Sequence, residues 1–342
     1  MGDLRRAAPN VLAAGLLVAV AIVLPVSSTA EVYRLTDASS YQEGCFDPCL
    51  CPMMEQRPAL GTFGLRFTGS DAGFDRYAVE DVHWKMPGRD PELGAVGSGT
   101  YTVGSPDATA VRKHRLELDL RLTGSDVEHF DSGWVIGPNL PHIQITISIH
   151  GMYCHDRVFT VDADPVPASE IQSYALVEAS TFQRGCFDPC DCPIGQEQPL
   201  LGTFSLLPLS NNTLFSAYGM VDVRWKVSGS GYATPPDAPI AGAGSYRVGG
   251  EFAVQQRMEA ELSVADEPSA PFDSGLVVGG GGFPDQIDVE ISKNGKVCFD
   301  TVMHVVAARA QPLPEPGTSS QRLAGVLGVL GIALARARRQ RV

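Results

Sequence analysis

One nine-residue segment constrains this chain of 342 residues more than its overall composition does. Gly44-Cys45-Phe46-Asp47-Pro48-Cys49-Leu50-Cys51-Pro52 recurs as Gly185-Cys186-Phe187-Asp188-Pro189-Cys190-Asp191-Cys192-Pro193, and the two copies differ only at Leu50/Asp191. The same spacing relates Tyr33 to Tyr174, Gly61-Thr62-Phe63 to Gly202-Thr203-Phe204, and Asp81-Val82-His83-Trp84-Lys85 to Asp222-Val223-Arg224-Trp225-Lys226. It then drifts through Tyr101/Tyr246 and Phe130-Asp131-Ser132-Gly133/Phe272-Asp273-Ser274-Gly275 to Cys154/Cys298, as small loop insertions would make it. A unit this long cannot be one turn of a solenoid, so each copy must bury a core of its own. The sequence reads as two tandem domains, 31–165 and 172–308.

Within each copy the apolar residues alternate. Ile143, Ile145, Ile147 and Ile149 stand on one face of a run, and Leu116, Leu118, Leu120 and Leu122 on one face of another. The second copy repeats these runs with Ile287, Val289 and Ile291, and with Met258, Ala260, Leu262 and Val264. A period of two is that of half-buried antiparallel strands. Asn294-Gly295 predicts a two-residue hairpin turn, which would set Cys298 opposite Ile291 and aim it at the core. No segment between the two ends has a helical period. The expected fold is all-β: two tandem, disulfide-stapled antiparallel β-sandwich domains of jelly-roll-like type, each with seven or eight strands, and apolar helical segments at both termini.

All eight cysteines fall inside the repeats, four in each: Cys45, Cys49, Cys51 and Cys154, then Cys186, Cys190, Cys192 and Cys298. An even count at repeated spacings, behind an export segment, predicts two disulfides per domain. A Cys49–Cys51 or Cys190–Cys192 bond would close a strained ring over one residue. Cys154 and Cys298 should therefore each bond a member of the Cys-rich loop other than its first cysteine. A redox or zinc role for the loop is the lesser reading.

The two ends differ in kind from the interior. Arg5 and Arg6 precede an apolar run at 11–24 and the small residues Ser28-Thr29-Ala30, the layout of a secretory signal peptide over 1–30. At the other end, Pro314-Glu315-Pro316 precedes an apolar run at 323–335 and then Arg336, Arg338, Arg339 and Arg341. The segment 309–342, linker included, resembles the PEP-CTERM sorting signal. That resemblance implies a Gram-negative host, an exosortase-type processing enzyme, and transient membrane association through the C-terminal helix. It implies delivery to the cell envelope, the outer surface or the extracellular space, and a signal peptidase would act first at the N-terminus. Without both ends, 19 basic residues face 37 acidic ones. The whole chain already carries −13, which argues against a nucleic-acid partner, because phosphate recognition needs a basic footprint.

Candidate functional residues can be tested by using one copy as a control for the other. His83, His142, His150 and His155 are matched by Arg224, Gln286, Asn294 and Phe299, which favours a solvated face over a metal site. Trp134 is matched by Leu276, which favours core. Strict alternation places Tyr77 with Asp81, and Tyr218 with Asp222, on the polar side of the tryptophan strand. These four form the candidate ligand face, although an ion pair of each Asp with Lys85 or Lys226 is the blander account. Asp47, Asp131, Asp188 and Asp273 stand in turn contexts, where Asp bonds its own backbone. Ca2+ is conceivable for them, but no Asp-x-Asp-x-Asp loop accompanies them. No catalytic motif is present, so no catalytic, cofactor or metal residue is assigned. The expected function is that of a non-enzymatic, exported structural or adhesive protein of the surface or extracellular matrix. The alternatives are tandem carbohydrate-binding modules, with extracellular polysaccharide as partner, and a polymer-acting hydrolase using Asp81 and Asp222.

Overall fold

The computed structural model describes residues 30–52, 56–88, 92–105, 111–137, 140–229 and 234–310. Residues 1–29 of the export segment and 311–342 of the sorting segment, with Pro314, Glu315, Pro316 and both apolar runs, lie outside them, whereas Arg309, expected in the linker, is the last residue of the final strand. Among the described residues no helix is long and apolar enough to cross a membrane. The one helical element described is a 3-10 turn, Ala168–Glu170, between the repeats.

The first repeat comprises β1 (Glu31–Leu35), β2 (Ser40–Cys45), β3 (Arg57–Pro58), β4 (Leu60–Asp71), β5 (Phe74–Met86), β6 (Leu93–Gly104), β7 (Lys113–Leu122), β8 (Val127–Asp131), β9 (Val135–Ile136), β10 (Ile143–Ser148) and β11 (His155–Pro165). The second comprises β12 (Gln172–Leu176), β13 (Thr181–Phe187), β14 (Gln198–Asn211), β15 (Phe215–Val227), β16 (Pro239–Gly249), β17 (Gln255–Val264), β18 (Ala270–Asp273), β19 (Val277–Val278), β20 (Gln286–Ser292) and β21 (Cys298–Arg309).

All pairings are antiparallel, and neighbours are mostly consecutive: β4-β5-β6-β7-β8-β10-β11 in one sheet, β14-β15-β16-β17-β18-β20-β21 in the other. β1 and β2 lie end to end along one edge of β11, and β1 also pairs with β4, so the sheet closes on itself. β12 closes the second sheet in the same way, between β14 and β21. Opposite walls pack on one filled interior, as alternation demands. The jelly-roll expectation is not met, because an up-and-down order contains no Greek-key crossover. The alternating leucines of β7 and isoleucines of β10 are buried around Trp84, Phe130 and Phe159 in the first core. Trp225, Phe204 and Phe272 centre the second. The repeated Gly-Thr-Phe motif has a steric origin. Gly61 (φ +145°) and Gly202 (φ +135°) sit where a Cβ would collide with the carbonyl oxygen of His83 or Arg224 on the next strand.

The tryptophan strands do not alternate throughout. The β5–β6 register shifts between Val79 and Val82, and the β15–β16 register shifts between Met220 and Val223. Asp81 (φ +53°) and Asp222 (φ +55°) stand inside these bulges. One inserted residue reverses the parity of a strand. Tyr77 and Val79 therefore point inward before the bulge, and Val82, Trp84 and Met86 after it. The repeated Asp suits a left-handed position that most side chains avoid.

The Asn294-Gly295 hairpin is corrected too. Ile291 pairs with Met303 and Ser292 with Val302, while Cys298 lies opposite Phe187. The reason is a buried carboxylate that gathers the chain into a wider loop. Asp300 accepts the backbone N–H groups of Lys293 (3.1 Å), Asn294 (2.9 Å), Lys296 (2.7 Å) and Thr301 (2.6 Å). Asp156 does the same for Ile149 (3.1 Å), His150 (3.1 Å), Met152 (2.7 Å) and Arg157 (2.7 Å) in the first repeat. Asp156→Ala strands these donors and should cost about 3 kcal/mol in denaturant unfolding. An effect near zero would mean that the loop does not depend on the carboxylate.

The disulfides are Cys45–Cys51 and Cys49–Cys154, repeated as Cys186–Cys192 and Cys190–Cys298. Neither disfavoured bond forms, and Cys154 and Cys298 each take the middle cysteine of their loop. Four such bridges are typical of an oxidising extracellular environment.

Candidate functional site

The two copies lose their equivalence on the outer face of β5 and its neighbours. In the second repeat Thr203, Arg224 and Lys226 on this face are exposed. In the first, Thr62 and His83 are buried, at 0% and 6% exposure. The second repeat covers them. Lys85 Nζ donates to Glu259 Oε2 at 2.8 Å, and Arg121 pairs with Glu261. Next to the connection, Arg34 donates to Glu170 Oε2 at 2.7 Å and to the Pro208 carbonyl at 3.0 Å. The expectation that His83 belongs to a solvated face is thus overturned by a neighbour that alternation within one domain cannot reveal. Lys85 serves the other repeat's Glu259 and not Asp81.

Docking leaves a cleft of about 610 Å3 whose lining includes Asp81, His83, Ser98, Arg121, Ala243 and Glu261. A second space of about 420 Å3, beside Lys85 and Glu259, shares His83, Val96, Arg121 and Glu261 with it. Neither ring nitrogen of His83 has a hydrogen-bond partner. Burial, reinforced by the Lys85 charge, pushes its pKa down to about 3, so the ring is neutral and offers one donor and one acceptor. Desolvation, with the charges of Glu80 and Asp222, raises the carboxyl pKa of Asp81. The docked repeats therefore bring the two bulge carboxylates near enough to act on each other. Among the described residues no cation pairs with Asp81, whereas Glu80 has Arg66 and Asp222 has Arg224, and Asp119 shares a hydrogen bond with the His129 ring at 2.8 Å.

The other half of the expected ligand face is not there. Tyr77 packs on the core and sits 6.2 Å from the Tyr101 ring, and Tyr218 packs 4.9 Å from the Phe283 ring. Both face away from Asp81 and Asp222 because of the bulges. Trp134 and Leu276, expected in the core, are 46% and 44% exposed, and Trp134 packs against Phe74 at 4.9 Å. His142 pairs with Asp164 at 2.9 Å, and His150 and His155 are exposed.

The Phe-Asp-Ser-Gly motif is scaffolding. Phe130 is core, and Asp131 holds Arg115 (2.9 and 2.6 Å) and the Gly133 N–H (2.8 Å). Ser132 accepts the Leu116 N–H at 3.0 Å. Asp273, Arg257 and Ser274 repeat every one of these bonds. The Arg115 guanidinium holds the Asp131 carboxyl below its ordinary range. Among the described residues no three His, Cys, Asp or Glu side chains come together to hold a metal ion.

Sequence reasoning missed Arg121, Glu259 and Glu261, which look like any polar positions on an alternating strand. No protein-family model, curated protein or solved structure matches the chain.

Proposed function

We propose that the chain is an exported, non-enzymatic protein of the cell surface or extracellular matrix of a Gram-negative bacterium, with a structural or adhesive role. The observation that carries this reading is the complete pairing of eight cysteines in the same two bridges per repeat. Reducing compartments dismantle such frameworks, and small β domains outside the cell depend on them. The terminal sequences support it: 1–30 has the layout of a signal peptide, and 309–342 resembles a PEP-CTERM tail whose apolar run would hold the chain in the membrane until an exosortase-type enzyme acts. Extracellular polysaccharide is the natural neighbour of such a protein. Carboxylate-rich faces and a large net negative charge keep the mature part soluble there.

The test is fractionation of the native host, with intact-mass and thiol analysis of the captured protein. The expected species is surface-associated, begins near Glu31, lacks the apolar tail, and resists alkylation until reduced. A cytoplasmic, full-length protein with alkylatable cysteines would contradict the proposal.

A further inference from the structure

The cleft between the repeats combines three features that a merely imperfect interface would not bring together. His83 is almost wholly buried, lines both parts of the cleft, and has neither ring nitrogen bonded. A buried polar group without a partner is destabilising unless something fills its hydrogen-bonding capacity. Asp81 is an exposed carboxylate at the cleft with no ion-pair partner among the described residues, while its acidic neighbours Glu80 and Asp222 are each paired with an arginine. The remaining walls are small, with Val96, Gly97, Ala241, Gly242 and Ala243 leaving room for a flat apolar surface, and Ser98 and Ser263 supplying hydroxyls. The volume of about 610 Å3 falls in the range of small-molecule sites.

We infer that this cleft binds a ligand of sugar size bearing a protonated amine: an amino sugar, free or within a glycan. The amine pairs with Asp81. One sugar hydroxyl accepts from the N–H of the neutral His83 imidazole and another donates to its second nitrogen, and the C–H face of the sugar lies on the small residues of β6 and β16. Arg121 and Glu261 already satisfy each other and span the cleft as a fixed strut. The ligand thus meets a cleft carboxylate that has no ion-pair partner among the described residues. This inference rests on the cleft alone and holds whether or not the chain is exported.

The test is titration calorimetry of the purified full chain at pH 6 with three probes: a glucosamine trimer, an N-acetylglucosamine trimer and a glucose trimer. The expected result is binding of the glucosamine trimer at least about tenfold tighter than either neutral trimer, since only the protonated amine can form a charge-assisted bond with Asp81. Asp81→Asn, which tolerates the same left-handed backbone, should abolish that preference, while Asp288→Asn on the outer face of β20 should not. Binding should also move the His83 ring resonances. No binding, equal binding of all three trimers, or an undiminished preference in Asp81→Asn would overturn the inference. So would a simple amine such as ethanolamine binding as tightly as the glucosamine trimer, because then the sugar is not recognised.

Discussion

Replacing Cys49 and Cys154 together by Ala should lower the stability of the first repeat by about 4–5 kcal/mol, whereas replacing Cys45 and Cys51 should cost about 2 kcal/mol. The difference comes from loop size. Cys49 and Cys154 are 105 residues apart in sequence, and Cys45 and Cys51 only 6. In the chain-entropy account a bridge acts on the unfolded chain, and a longer closed loop removes more freedom from it. The long bridge joins the Cys-rich loop to the start of β11, next to the edge along which the sheet closes, where Phe46 N–H also bonds the Cys154 carbonyl at 2.9 Å. Cys190 and Cys298, 108 residues apart, should behave like Cys49 and Cys154 when the second repeat is tested. Denaturant midpoints of the two double variants, with unchanged slopes, are the measurement. Equal losses for the long and the short bridge would contradict the assignment of roles.

The second large effect is on docking, and pH controls it. The pKa of His83 is depressed from the ordinary 6.5 to about 3 when the second repeat covers it. Between those values the uncovered ring binds a proton that the covered ring refuses. The docked state is therefore at full strength above about pH 6.5 and weakens as pH falls, by roughly one to two kcal/mol per unit, to a total on the order of 5 kcal/mol near pH 3. Other groups at the interface modify this slope. Lys85 on the same strand and Arg121 on β7 oppose a charge on His83, while Glu259 and Glu261 on β17 favour it. The raised carboxyl of Asp81 works the other way, since its repulsions are relieved on protonation. The salt-bridged Asp131 and Asp273, whose carboxyls are lowered, add their own acid sensitivity only at more acidic pH. His83→Gln removes the imidazole and keeps a neutral polar side chain, so the difference in pH slope between the two proteins isolates the His83 contribution. Small-angle scattering should show the wild-type repeats separating as pH falls from 6 to 4, and the variant should be less sensitive. Identical slopes would mean that His83 is not buried by docking.

The duplication, the all-β class, the core faces of β7, β10, β17 and β20, and the exclusion of Cys49–Cys51 and Cys190–Cys192 were all readable from the chain. They are local properties: identity at a fixed spacing, a period of two, and ring strain across one residue. What was not readable depends on single insertions or on distant surfaces. One bulge residue sends Tyr77 and Tyr218 inward, and nothing in Tyr77-Ala78-Val79-Glu80-Asp81 announces it, although an Asp repeated at both bulges is a signal in retrospect. Asp156 and Asp300 are not legible in the chain because an Asp that anchors a loop looks, in sequence, like any acidic residue near the start of an alternating strand. The burial of His83 was hidden for a different reason. Comparing the repeats treats them as equivalent, and docking makes them unequal: Arg224 stays in water while its counterpart is covered. The His/Arg difference, read as evidence against importance, marks the face where one copy receives the other.

Docking of the two repeats is reached most directly by an NMR pH titration of the His83 ring carbons in the full chain. The structure predicts a neutral imidazole throughout the range where the protein stays docked, with an apparent pKa well below the ordinary 6.5 and as low as about 3. A His83 that titrates near 6.5, like an imidazole in water, would contradict the covered face, the cleft and the pH dependence together.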